Sequence, residues 1–356
     1  RGATQAYHRS GERRRGRSGG DPNMQQVLDR YTVAALAGDR ASAAEVATGL
    51  LSRDIAPEKI IGHLLAPSQV DVGNRWLEQS CSVGAEHTAT FVTESILASL
   101  AVGLEPPVTE GRMIMVCAEG EWHGLPARMA AELLMLQGWR VTFLGPATPA
   151  NHLRAYLADA DADVVGVSCS IASNLPGAAR TVRVARRLGF TTIVGGAAFG
   201  TSATRARAIG ADGWASSVNT RFDLDSVVWR NVRELDHDAE WAMIEHERLE
   251  LTRQAMRWLS DHHPQILATG GSWLEHVVGD LDEIIRHASA ALLCDDRSIL
   301  VEHRQWLGRL MVASGLRDAA ATVGFDAVAS VLRHVSPNAS AMVSRAAAEV
   351  PLDRRP

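Results

Sequence analysis

The sequence predicts a mixed fold, helical at both ends with an α/β unit between them, and three observations carry that prediction. Residues 24–105 place apolar side chains at helical spacing, as in "MQQVLDRYTVAALAGD" and "SVGAEHTATFVTESILASLAVG". From residue 113 the pattern changes to short apolar runs ("MIMVCA", "RVTFLG", "DVVGVSCS", "TTIVGGAAF") alternating with helical stretches, the signature of a parallel sheet with helices on both faces. Residues 236–335 return to helical periodicity, beginning with the charged "HDAEWAMIEHERLELTRQAMRWLSDH".

The order of segments follows from these changes. Residues 1–23 are rich in Arg, Gly and Ser with almost no apolar side chains, so they read as a disordered, solvated basic tail. Residues 24–105 make four or five helices, hence a bundle, and "EPPVTEGR" (105–112) reads as a linker. Residues 106–235 form the parallel-sheet unit, 236–335 one further all-helical domain, and 336–356 a fraying tail. A chain of 356 residues, 46% of them hydrophobic, is long enough for two or three domains with cores of their own.

Composition excludes several classes. A net charge of -5 gives no reason to expect nucleic acid or an anionic membrane as partner. The four cysteines (Cys81, Cys117, Cys169, Cys294) form no CxxC pair, which argues against a disulfide framework or a zinc site. No apolar stretch approaches the length of a spanning helix and no signal-peptide pattern opens the sequence, so a soluble cytoplasmic protein is expected.

In open parallel sheets ligands bind at the carboxyl ends of the strands. His123, Gly145, Ser168, Ser170, Gly195 and Gly196 all fall at or just after those ends, and so converge on one rim. His123 follows Glu121 and Trp122 in "EGEWHGLPARM", just as a helix begins. A histidine there is either a solvent-facing loop residue or a group aimed at something bound above the sheet.

With "SCS" after the third strand, "GG" after the fourth and a bundle in front, the arrangement resembles the cobalamin-binding module shared by methionine synthase, corrinoid proteins and light-sensing regulators. That module carries D/E-x-H-x-x-G, then S-x-L, then GG. Here they read Glu121-Trp122-His123, Ser168-Cys169-Ser170 and Gly195-Gly196, with Pro126 in place of the glycine and Ser170 in place of the leucine. Pro126 is expected to start the helix. A neutral imidazole suits cobalt, and such a ligand needs a second acceptor to fix its tautomer, a role open to Glu121. The resemblance implies that His123 displaces the cofactor's own base. It also implies that the displaced tail enters the sheet where Ser168, Ser170, Gly195 and Gly196 leave room.

The bundle carries Trp76, nine residues, then Glu86-His87. This spacing looks like the signature of photosensory cobalamin domains of the CarH type. There the tryptophan caps the upper face of the corrin, and the Glu and His line the adenosyl pocket. The resemblance implies adenosylcobalamin, whose Co–C bond visible light breaks. One position departs. The residue after the tryptophan is Leu77, which cannot ligate cobalt, so the light state would carry water or a different histidine. A helix-turn-helix domain is not expected in residues 1–23, which are too short and too polar.

Near the C-terminal end, "DLDEIIRHASAALLCDDRSIL" is similar to the phycobiliprotein segment that follows the bilin-attachment cysteine, with Asp280, Arg286, residues 291–293 and Asp296 in register. By this similarity Asp280 contacts the pyrrole nitrogens of a bilin. The attachment cysteine would fall at Val277 and a neighbouring arginine at Gly279, so the bilin would be non-covalent or linked elsewhere; Cys294 is the segment's cysteine. Among histidines 262, 263, 276, 287 and 303, His276 and His287 are preferred for their spacing from Asp280.

Helical bundle, Rossmann-like cobalamin domain and globin-like bilin domain, in that order, look like the photocobilins, photoreceptors that use both cobalamin and biliverdin. The resemblance implies a light sensor and not an enzyme, with adenosylcobalamin and a bilin such as biliverdin as cofactors. It also implies a homo-oligomer, dimer or tetramer, that changes its packing on illumination and signals to an effector. Two rivals remain: a corrinoid methyl carrier serving a methyltransferase, and a cobalamin-only photosensor whose C-terminal helices serve as a dimer interface.

Overall fold

In the computed structural model the described residues are 24–101, 106–219, 221–229, 235, 239–267 and 272–349. The expected tail at 1–23 lies outside them. The bundle consists of α1 (Met24–Leu36), α2 (Arg40–Leu51), α3 (Pro57–Ile60), α4 (Ala66–Leu77) and α5 (Val83–Ala101), with a π turn, Ile61–Leu65, joining α3 to α4. Tyr31, Leu64, Leu65, Ile96 and Leu97 fill its core.

The sheet has five parallel strands: β1 (Gly111–Cys117), β2 (Trp139–Gly145), β3 (Val164–Ser168), β4 (Thr191–Gly195) and β5 (Gly213–Ala215). They are crossed by α6 (Gly124–Leu136), α7 (Ala150–Ala158), α8 (Leu175–Arg187) and α9 (Thr204–Ala208). The three-residue β5 has no counterpart in the sequence reading, which found four strands. Alternation along each strand divides the sheet into two faces. Met113, Met115, Cys117, Val164 and Ile193 pack with Ala127, Ala131 and Leu134 of α6. Ile114, Val116, Val165, Val167 and Val194 pack with Ala178, Ala179 and Val182 of α8 on the other side.

Strand order is β2-β1-β3-β4-β5. The chain therefore reverses direction of winding between β1 and β3, and a doubly wound sheet opens its ligand crevice at that point. In register, Cys117 lies opposite Ser168, and Ser168 opposite Gly195, so these strand ends are level.

The C-terminal region follows a short helix α10 (Leu224–Val227). It comprises α11 (Glu240–His262), α12 (Pro264–Leu267), α13 (Ser272–Cys294), α14 (Ser298–Ala313), α15 (Ala319–Leu332) and α16 (Pro337–Ala348). The last of these corrects the tail expected from residue 336. Ser336 accepts a hydrogen bond from Ala339 N, which caps the helix, and Ala339, Val343 and Ala346 are buried. Pro126 is also corrected: α6 begins two residues earlier, at Gly124, with His123 as its N-cap.

The C-terminal helices continue the core on the α8 face of the sheet, where Ile244, Leu281, Ile284 and Leu300 join the cluster around β3. A buried arginine reinforces the contact. Arg205 of α9, 4% exposed, donates to Asp296, Ser298 and Glu302 at the α13–α14 turn and to the Ala198 carbonyl. Removing the arginine takes the donor from the largely covered Asp296 and from the Ala198 carbonyl, while Glu302 stays open to solvent, at a cost of about 3 kcal/mol. Arg205→Met should therefore lower the urea midpoint by an amount equivalent to about 3 kcal/mol. A midpoint within error of the parent would show that the apolar contact alone holds the domain.

Candidate functional site

Glu121 sits in the turn between β1 and α6, fully buried. A carboxylate taken out of water is costly unless donors fill its lone pairs. Here five do. Oε1 accepts from His123 N at 2.9 Å and from His123 Nδ1 at 2.6 Å. Oε2 accepts from Ser170 N at 2.8 Å, Ile171 N at 3.0 Å and Asn174 Nδ2 at 3.2 Å. Burial alone would raise this carboxyl, but the bonds from His123, Ile171 and Ser170 outweigh it and hold it down at about 2.

The same contact sets the state of His123. Its Nδ1–H is committed to the carboxylate, which leaves Nε2 as the nitrogen for a ligand. The bond to Glu121 raises the imidazole's pKa against the opposing effect of burial, and the nearby Glu86 charge adds to it. Glu86 comes from α5 of the bundle, so the bundle lies within electrostatic reach of the sheet rim. Trp122, beside it, is 76% exposed.

The other strand ends close the rim. Gly145 ends β2 with φ +84°, and a side chain there would meet open space. Ser168 is buried at the end of β3, and its carbonyl accepts from Ala118 N. Ser170 is held through its backbone to Glu121. Gly195 ends β4. Gly196 follows with φ +107°, and a Cβ on it would lie 2.3 Å from the Cys169 carbonyl oxygen, so only glycine lets these two turns meet.

On the bundle, Glu86 Oε2 and His87 Nδ1 are 2.6 Å apart, and Thr90 donates to Glu86 Oε1 at 3.2 Å. His87 stays exposed. Trp76, at the end of α4, is half-buried and stacks on Trp306 of α14, ring centres 6.0 Å apart. Leu77 points into the core, 6% exposed. Sequence reasoning missed Trp306, because nothing local to either tryptophan announces the other.

A cavity of about 450 Å³ opens in the C-terminal domain, lined by apolar side chains including Val277, Leu281, Ile284 and Leu307, with Asp280 and Gln265 as its polar groups. Burial pushes the Asp280 carboxyl up to about 6, against the pull of His276 and with the push of Glu283. The two preferred histidines are not brought into it. His276 is exposed. His287 is buried at the next turn beyond the cavity, where its Nδ1–H donates to the Glu283 carbonyl at 2.7 Å. Its ring stacks on His303 at 3.8 Å, and burial lowers the pKa of both imidazoles. Arg286 and Asp296 also face elsewhere, toward Asn174 and Arg205. Cys294 is buried and does not line the cavity.

An imidazole with one free nitrogen at the switch point of a doubly wound sheet, beneath a helical bundle, fits a corrinoid, and comparison with known proteins agrees. Two family models, each described as a B12 binding domain, match residues 111–222 and residues 27–101. The chain is a cobalamin-binding protein, and these two segments are its B12-binding domains. It is 29% identical over 147 residues to the HTH-type transcriptional repressor CarH of Myxococcus xanthus, a match covering 41% of this chain and 48% of that protein. The chain thus spans about half of that relative's length. It is 22% identical over 214 residues to the corrinoid protein DSY3155 of Desulfitobacterium hafniense, covering 56% of this chain and 96% of that protein. Among solved structures, the monomethylamine corrinoid protein of Methanosarcina barkeri aligns with TM-score 0.47 and 19% identity, over 55% of this chain and 94% of the other. No helix of the described residues is long and apolar enough to cross a membrane.

Two predictions follow from this geometry. Glu121→Gln places an amide donor among backbone donors and loosens His123; outer partners of this kind are worth 10–100-fold in affinity. Cobalamin titration should show a loss of about that size, and unchanged affinity would remove Glu121 from the site. Asp280 is protonated more readily in the folded protein than in the unfolded one, whose value is 3.8. Its contribution therefore falls as pH rises from 3.8 through about 6. At neutral pH, Asp280→Asn should stabilise the protein by about 3 kcal/mol, with little gain near pH 3.8. Urea unfolding at both values reads it; an equal effect at each would refute the assignment.

Proposed function

We propose that this protein is a light sensor that holds adenosylcobalamin between the bundle and the sheet rim and a bilin, such as biliverdin, in the C-terminal cavity. The observation that carries the reading is the fixing of His123 Nδ1 by the buried Glu121 at 2.6 Å, with the Glu86 charge of the bundle close enough to act on the same imidazole. Adenosylcobalamin supplies a Co–C bond that visible light cleaves, and a bilin supplies absorption in the red. His123, oriented by Glu121, would hold the cobalt through Nε2. Trp76 would close the bundle side of the site, and Glu86 with His87 would offer an acceptor and a donor to an adenosyl group. Trp122 and the turns at Gly145, Ser168, Ser170, Gly195 and Gly196 line the rim.

In the cavity, the Asp280 carboxyl is kept in apolar surroundings at a cost to the empty fold, which supports a role in binding. It would accept from the pyrrole N–H groups of a bilin. Val277 lines the wall where phycobiliproteins have their attachment cysteine, so the bilin is held without a covalent link. His276 and His287 take outer positions, His276 at the surface near Asp280 and His287 one turn deeper.

Signalling rests on differential affinity, since a ligand shifts an equilibrium only by binding one state better. Glu86 and His87 would hold the bundle in one arrangement only while an adenosyl group is bound between them and the rim, so its loss would allow the bundle to repack. A change of oligomeric state, dimer or tetramer, read by an effector protein in the cytoplasm, is the output of this reading. The protein is then a binding protein with no reaction of its own.

The match to the whole length of a corrinoid protein favours a second reading, a methyl carrier. A carrier must open its upper face to a methyltransferase, and a tryptophan fastened to a further domain opposes that. Absorbance spectra of protein reconstituted in the dark with adenosylcobalamin and biliverdin, before and after green light, separate the two. An irreversible change of the cobalamin bands together with a distinct red band is expected, and the red band should fall in Asp280→Ala. A photostable cobalamin spectrum without bound bilin would favour the carrier.

A further inference from the structure

The bonds that hold His123 do not end at Glu121. Asn174, 6% exposed in the turn after β3, donates Nδ2 to Glu121 Oε2, and its Oδ1 accepts from Nη2 of Arg286 on α13. Arg286 also donates Nη1 to Glu283, one turn back on the same helix. The site is close-fitting: a methyl group placed on Gly120 would lie 3.4 Å from Asn174 Oδ1 and 3.9 Å from Arg286 Nη2. A line of hydrogen bonds thus runs Arg286–Asn174–Glu121–His123, from the C-terminal domain to the nitrogen opposite the ligating one.

The chemistry of the end groups gives this line its direction. A guanidinium has only donors and an ionised carboxylate only acceptors. Asn174 can satisfy both in one orientation of its amide, oxygen toward Arg286 and nitrogen toward Glu121. Without Arg286 the amide is free to turn over, and its oxygen would then face a carboxylate oxygen. Glu121 would lose a donor while buried, and its hold on the imidazole would weaken.

We propose that Arg286 is a positioning residue for the lower cobalt ligand: it fixes the amide of Asn174, and through Glu121 the tautomer and tilt of His123. The inference rests on the reading of His123 as that ligand. It assigns to the C-terminal domain a part in the cobalamin site itself.

The test uses full-length protein carrying nitrogen-15 histidine and loaded with cob(II)alamin, whose electron paramagnetic resonance lines split into doublets when a labelled imidazole is the axial ligand. The parent should show the doublet; its absence would remove His123 as ligand and end the reading beneath the proposal. With the doublet present in the parent, Arg286→Met should retain cobalamin about tenfold more weakly, with part of the signal lacking the doublet. A full doublet at parental affinity would overturn the proposal. Asn174→Ala leaves α13 untouched and should lose the doublet in the same way, so a full doublet there overturns it even if Arg286→Met does not fold. In the double variant, the loss should equal that of Asn174→Ala alone. Additive losses would mean that Arg286 acts by another route, which also refutes it.

Discussion

Everything at the rim depends on one buried carboxylate. Glu121 has no solvent to fall back on, so its five donors must stay in place together. Those donors come from two separate connections, the turn after β1 and the turn after β3. The two arms of the switch point are thereby tied into one unit, and His123 is held from both ends, through its backbone N–H and its ring. The helix that begins immediately afterwards, α6, sends Leu125, Met129 and Leu133 into the core of the bundle. The placement of the bundle over the sheet therefore starts from the same point as the placement of the ligand.

Contacts to the C-terminal domain are of a different kind. The apolar cluster that joins α11, α13 and α14 to the sheet supplies the bulk of the attachment, while the polar contacts are few and directional. Arg180 of α8 reaches both Glu119 and Glu245, Arg205 reaches Asp296 and Glu302, and Arg286 reaches Asn174. The bundle, by contrast, meets α14 at Trp76 and Trp306, a pair worth about 1 kcal/mol beyond its buried area. The C-terminal domain is thus fastened more firmly to the sheet than to the bundle.

The readable parts of the sequence were those in which local spacing and final position coincide. Strands β1 to β4, the helices of the bundle, and the Glu121-His123 and Gly195-Gly196 turns are all local arrangements, set within a few residues by periodicity or by a turn's geometry. What escaped was short or non-local. β5 is three residues long, below what alternation can register. α16 is built from small residues whose burial depends on α15, so its sequence carries little contrast. Asn174, Arg205 and Trp306 act on partners 53, 91 and more than 200 residues away, and no spacing encodes that. His287 shares a face of α13 with Asp280 by spacing, but it lies beyond the end of the cavity, a depth that spacing does not encode.

That helix borders both the cavity and the turn that holds Glu121. Val277, Asp280, Leu281 and Ile284 recur at helical spacing along the wall of the cavity. Arg286 leaves another side of α13, about 9 Å beyond Asp280 along its axis, for Asn174. An α-helix packed on both sides moves as a body, so whatever presses on Asp280 and its neighbours also bears on Arg286. At the far end of the hydrogen-bond line, Glu121 has no spare acceptor and no water with which to absorb a displacement. A shift of α13 must therefore be taken up either at the amide of Asn174 or at the ring of His123. Coupling between distant sites needs an element with discrete arrangements that both sites bias. The amide supplies one, because its two ends cannot exchange without breaking a hydrogen bond on each side.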